Sequence, residues 1–178
     1  SSLRILWVGG DWDDFALRNG GDTVLANDVL ATRLTDYITD SATVGTVEQM
    51  VRVVIESQGT LRMDYRCDGP DELRRFRLTI KPMKDARAIM VHELRDAIRL
   101  ESPMTEWSYD PAARDQKCSV CGLVHMSGGS WQDPTEPGAH HPALVYYTVC
   151  PPCLARINAA VDDLAHGADQ GDVGDVDL

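Results

Sequence analysis

Two cysteine pairs, Cys118-Ser119-Val120-Cys121 and Cys150-Pro151-Pro152-Cys153, restrict this chain more than any other feature of its sequence. They hold four of its five cysteines, with a 28-residue insert between them. Tetrahedral zinc accepts four thiolates at about 2.3 Å, and a Cys-x-x-Cys turn aims two sulfurs at one point. Two such turns make a closed site. The insert is readily closed because loop entropy grows slowly with length. The segment around the pairs is poor in large aliphatics, so metal binding can supply folding energy that its own core cannot. Four protein ligands leave no position for a reactive water, which points to a structural site. An iron–sulfur cluster uses the same four ligands, and spacing alone leaves that alternative open. A redox Cys-x-x-Cys follows a strand and opens a helix in a βαβ setting, a context that neither pair shows.

The opening residues lack a basic segment followed by a long apolar run, so the expected compartment is the reducing cytoplasm, where structural disulfides are the weakest reading. No apolar stretch approaches the roughly 20 residues of a membrane helix, and no membrane partner is expected. The 178 residues include 28 acidic and 17 basic side chains, a formal charge of -11. Such a chain repels phosphate backbones unless it has a local basic patch. Arg66, Arg74, Arg75 and Arg77 are the dense basic cluster, but they interleave with apolar positions at strand spacing and read as a solvated strand face. Nucleic acid is therefore not an expected partner. No nucleophile–base pair, phosphate loop or paired catalytic carboxylates stand out, so no enzyme is expected.

Periodicity gives an α+β order. Leu3–Val8 reads as a strand ended by Gly9-Gly10, and short helical turns follow as far as Ile38. Val44, Val47, Met50, Val51, Val54 and Ile55 repeat at three and four and predict the longest helix, with Gly59 as its C-cap. Leu61, Met63, Tyr65 and Cys67 alternate, as do Phe76, Leu78 and Ile80, and a third strand follows near residues 86–95. The helix stripe is expected to pack on that sheet face. Met50, Val54, Met63 and Tyr65 would line a small apolar ligand pocket or close into core. Cys67 reads as a small buried hydrophobe. Asp11, Asp13 and Asp14, beside Trp12 and Phe15, read as solvated turn residues.

The element order of residues 3–96, with the strings WDDFALRNGG, LTDYITD and YRCDGPDELRRF, resembles a bacterial PAS signalling domain. Cys118, Cys121, Trp131, Cys150, Pro151 and Cys153 match a cysteine module that follows PAS domains in bacterial sensor proteins. Together the two resemblances cover about 140 residues. They imply a PAS-like antiparallel sheet with helices on one side over residues 3–96 and a small zinc-stabilised module over 117–160. Between them the composition shifts, and residues 97–116 read as a linker that packs through Trp107 and Tyr109. The acidic tail over 161–178 ends in an Asp- and Gly-rich stretch without aromatics and is expected to be disordered. They also imply a homodimer, an unknown ligand in the PAS domain, and a signalling protein partner reached through the module, with zinc held by Cys118, Cys121, Cys150 and Cys153. The module often carries a histidine three residues before its third cysteine; Tyr147 stands there in this chain, and His140-His141 would substitute only if the loop folds back. The alternative is a haem- or flavin-bearing redox or gas sensor. His92 would be the haem ligand, but residues 43–58 hold no histidine. His125 is a spare ligand that four thiolates make unnecessary.

Overall fold

A computed structural model of the chain describes residues 3–104, 107–136, 138–139 and 141–167, and the backbone of 171–173. The chain divides into two compact units, Ser1–Thr39 and Asp40–Leu178. It is mixed α+β.

In the first unit the strand expected over Leu3–Val8 is reduced to one bridge, Arg4 to Arg33. Three backbone bonds hold residues 3–5 against 31–34, among them Ile5 N–H to the Thr32 carbonyl at 3.0 Å. The partner segment is too short to extend the ladder. Helices α1 (Trp12–Arg18) and α2 (Ala26–Val29) and a 3-10 turn (Leu34–Tyr37) complete the unit. The aspartates are exposed, as expected, but they sit on a helix rather than in a turn: Asp11 is the N-cap of α1, and Asp13 and Asp14 occupy its first turn, where carboxylates interact favourably with the helix dipole. Asp13 Oδ1 also accepts from the Ala26 N–H at the start of α2, at 2.7 Å.

The second unit opens with α3 (Ser41–Ser57), capped by buried Asp40, whose carboxylate accepts from the Thr43 N–H at 2.7 Å. The helix ends in left-handed Gln58 (φ 56°), not at Gly59 as the sequence suggests. Gly59 has another reason to lack a side chain. A Cβ there would lie 2.2 Å from Leu164 Cδ2.

Strands β1 (Leu61–Arg66), β2 (Glu72–Met83) and β3 (Arg87–Arg99) form antiparallel hairpins. The register sets Leu61 opposite Ile80, Met63 opposite Leu78 and Tyr65 opposite Phe76, so the alternating apolar positions share one face. Met50, Val51, Val53 and Val54 of α3 and Leu61, Met63, Phe76, Leu78 and Ile80 of the sheet are buried. Helix α3 contacts both β2 and a second long helix, α4 (Pro151–Ala165), so it buries more than one stripe. One extra residue of β3, Arg95, bulges where Arg75 pairs with Asp96 and Phe76 with Leu94. The β2–β3 turn places Asp85 and Ala86 at φ 61° and 52°.

A second sheet follows in the order β4-β8-β5-β6-β7: Ser108–Tyr109, Leu144–Thr148, Gln116–Cys118, Val124–His125 and Trp131–Gln132. β8 runs parallel to β4 and β5, and the last three strands are antiparallel. Residues 97–116 are therefore not a free linker, since they finish β3 and supply β4 and the start of β5. The segment beyond 160 is not wholly a disordered tail either. Helix α4 continues to Ala165, and β9 (Gly171–Val173) pairs in parallel with β1. Ile157, Ala160, Val161 and Leu164 are buried along α4, a helical stripe that gives residues 161–165 a reason to fold.

Candidate metal centre

Cys118 ends β5 and Cys121 follows in a tight turn that closes with the Gly122 N–H on the Cys118 carbonyl, at 3.1 Å. Gly122 takes φ +75°, a conformation that glycine adopts without cost. Contrary to the sequence expectation, the second pair does follow a strand and open a helix. Cys150 comes just after β8 and is the N-cap of α4, Pro151 and Pro152 begin the helix and Cys153 lies in its first turn. The next strand, β9, pairs with β1 and not in the sheet of β8. All four cysteines are buried, and their sulfurs lie within 4.8 Å of one another. Cys121 Sγ and Cys150 Sγ are 3.7 Å apart. The cluster could hold a metal ion.

The surroundings favour a thiolate at Cys118. The Val120 and Cys150 N–H groups donate to Cys118 Sγ at 3.4 and 3.3 Å. Arg156 Nη2 approaches Cys153 Sγ at 3.8 Å. The start of α4 adds the positive end of a helix dipole. Donation from the Cys121 and Cys153 thiols, then from backbone N–H groups, outweighs burial and holds Cys118 far below the ordinary thiol range. The donors move the other way: Cys121 is pushed up to about 12 and Cys153 is also pushed upward, chiefly because each shares its proton with Cys118. Binding a metal would expel those protons.

The first turn is built into the α3–β1 core. The Arg66 N–H at the end of β1 donates to the Val120 carbonyl at 2.8 Å. Thr43, in the first turn of α3, donates its hydroxyl to Ser119 Oγ at 2.8 Å, and Ser119 reaches Asp40 Oδ2 at 3.4 Å. Beneath the turn the Arg66 guanidinium is wholly buried between two carboxylates, Asp68 at 2.7 Å and Asp133 at 2.6 Å. These bonds raise the Arg66 pKa although burial opposes the charge. Burial also works against ionised Asp133, but Arg66 and the N–H and hydroxyl of Thr135 prevail and hold its carboxyl below the usual range. Buried Lys117 donates to the Gly122 carbonyl at 3.1 Å and lies 4.5 Å from the Trp107 ring centre. Desolvation lowers its pKa.

Other sequence candidates fall away from this centre. His125 sits against Trp131, ring centres 5.4 Å apart, and is outside the metal-binding group. Tyr147 pairs with Lys117 across β8 and β5 and stacks on Tyr109. His141 packs near Trp107, and His140 lies outside the described residues. Cys67 is exposed rather than buried. Met50, Val54 and Met63 are 2%, 0% and 3% exposed and belong to the core. Half-buried Tyr65 stacks on Phe76 and shares a 2.8 Å hydrogen bond with His92 Nδ1. A cleft of about 520 Å³ lies elsewhere, beside β7. The sequence reading missed α4, the Arg66 network and this cleft. The spacing of Cys153, Ile157, Ala160, Val161 and Leu164 behind a Pro-Pro start carried the signal for α4.

Among the described residues, no helix is long and apolar enough to cross a membrane. No family model, curated protein or solved structure matches the chain.

Proposed function

We propose that this chain is a non-enzymatic signalling protein in which a PAS-like sensor domain is joined to a structural zinc module that contacts a protein partner. The observation that carries the reading is the buried set of four cysteine sulfurs at Cys118, Cys121, Cys150 and Cys153. Zinc–sulfur bonds of about 2.3 Å give tetrahedral sulfur–sulfur edges of about 3.8 Å. The Cys121–Cys150 separation of 3.7 Å fits one such edge. A cluster of several irons needs room between the thiolates, and a single ion suits sulfurs within 4.8 Å of one another better. Four protein ligands leave no open position for catalysis, so the ion would hold structure.

The sensor half of the reading rests on the sequence resemblance and on a long helix laid against antiparallel hairpins. The burial of Met50, Val54 and Met63 favours a closed core over a resident coloured cofactor. A homodimer in the cytoplasm belongs to the same proposal. Native mass spectrometry of protein purified without chelator tests it. The expected mass includes one zinc per chain, lost in Cys150→Ser, in a dimeric species. Iron, absence of metal, or a haem or flavin absorption band in the fresh protein would refute the corresponding part.

A further inference from the structure

We propose that the cleft beside β7 receives an organic cation, an ammonium or guanidinium group on an aliphatic stem, carried by a basic side chain of a partner polypeptide. The inference deepens the proposed function by naming what the module would hold. The cleft is lined by Leu123, Trp131, Gln132, Asp133, Glu136 and Ala139, together with Gly138. It is an open cleft with a volume of about 520 Å³.

The walls have separate chemistry. Leu123 and Ala139 offer apolar surface to a stem, as they would to any alkyl chain. Half-buried Trp131 offers an indole, the aromatic ring that attracts cations best. The two carboxylates differ in what they have left to give. Asp133 accepts from Arg66 through both oxygens, at 2.6 and 3.3 Å, and from the Thr135 N–H and hydroxyl at 2.8 and 2.7 Å. Its charge is already compensated. Glu136 is exposed, and its carboxylate makes no ion pair or hydrogen bond among the described residues. Glu136 therefore brings one uncompensated negative charge to a lining that also includes an indole and apolar residues.

An anion finds no free cation there, because Arg66 is spent between Asp68 and Asp133. A neutral apolar guest would leave Glu136 unused. The chain's charge of -11 raises the local concentration of cations. The space also exceeds one basic side chain, which leaves room for the flanking residues of a peptide.

The test uses the full ¹⁵N-labelled chain, with metal content measured on the same sample. Loss of the metal reading and loss of this one are then seen separately. The probes are capped Gly-Arg-Gly and Gly-Lys-Gly, capped Gly-norleucine-Gly, and agmatine. The readout is the Trp131 indole N–H resonance, assigned with Trp131→Phe. The basic tripeptides are expected to shift it saturably at millimolar concentration, and the norleucine peptide is not. Glu136→Gln should weaken binding about fivefold and Glu136→Lys more, because a cation near an exposed indole and one carboxylate gains only modestly from each. Equal binding of the norleucine peptide, unchanged affinity in Glu136→Gln, or no saturable shift would overturn the cation site. Agmatine binding as tightly as the arginine peptide would overturn the assignment to a polypeptide.

Discussion

Replacing Arg66 with Met removes the one cation that two carboxylates share. Arg66 and Asp68 are 0% and 1% exposed at the side chain, against 23% for Asp133. The two ends should therefore respond differently. Asp133 can turn toward water and keep its Thr135 bonds. Asp68 keeps the Arg74 N–H at 3.2 Å and would be left charged in a dry site. Breaking a buried pair by removing one partner costs about 3–5 kcal/mol. Against a total stability of about 5–15 kcal/mol, that is a fifth or more of what holds a small domain together. The loss should fall on the Cys118–Cys121 turn as well, because the Arg66 side chain and the Asp68 carboxylate are the atoms that a Cβ on Gly122 would touch, at 3.1 Å. The assay is urea unfolding followed by tryptophan fluorescence, with metal retention measured against a chelator. Arg66→Met combined with Asp68→Leu should recover much of the loss, since an apolar replacement of both partners leaves neither end of that pair charged and unpaired. A cost below about 1 kcal/mol for Arg66→Met alone, or no recovery in the double variant, would refute the reasoning.

Gly59→Ala should destabilise by about 1–3 kcal/mol through overpacking, because its Cβ would sit 2.2 Å from Leu164 Cδ2. Adding Leu164→Ala should make the double variant cost less than the sum of the two, measured by urea midpoints. Ala86→Gly should stabilise by about 0.5–1 kcal/mol, because an alanine at φ 52° becomes the residue that prefers that turn geometry. The pH dependence has a fixed sign at Asp133. Its folded carboxyl lies below the ordinary 3.8, so its contribution is present above that value and is lost as pH falls through the folded one. Urea midpoints from pH 5 down to 2 should fall, and Asp133→Asn should flatten part of that fall.

The legible parts of this fold were those written as period. Alternation at Leu61, Met63 and Tyr65 and at Phe76, Leu78 and Ile80 sets the β1–β2 register, and the three-four repeat around Met50 sets α3. The cysteine pairs also pointed to residues that do come together. Arg66 was the instructive miss. In sequence it joins Arg74, Arg75 and Arg77 as one of a row of strand cations facing water. The fold buries it because Asp133, 67 residues away, supplies the second carboxylate. No local pattern encodes that pairing. The same limit hid the origin of Gly59's constraint, which lies on α4 rather than in the turn it follows.

The expected boundary at a linker fails for a related reason. A composition shift near residue 97 suggested two bodies joined by a linker packed through Trp107 and Tyr109; both rings are packed, and the elements are interlocked in order. β3 leads to β4, β4 lies beside β8, and β8 leads to Cys150 and α4. Helix α4 then returns to pack on α3 and approaches β1. Its N-cap and first turn hold two of the four thiols, and its buried stripe reaches Leu164, beside Gly59 at the far end of α3. The Cys118 turn meets the opposite end of α3 through Ser119 and Thr43. Both cysteine pairs are thus tied to one helix, at its two ends and by two different routes. Releasing an ion from these thiols would loosen α3 at its cap and along α4 together. Cys150→Ser should accordingly lower amide-exchange protection in α3 as well as in residues 117–160. Protection of α3 unchanged in that variant would mean that the cysteine module opens on its own.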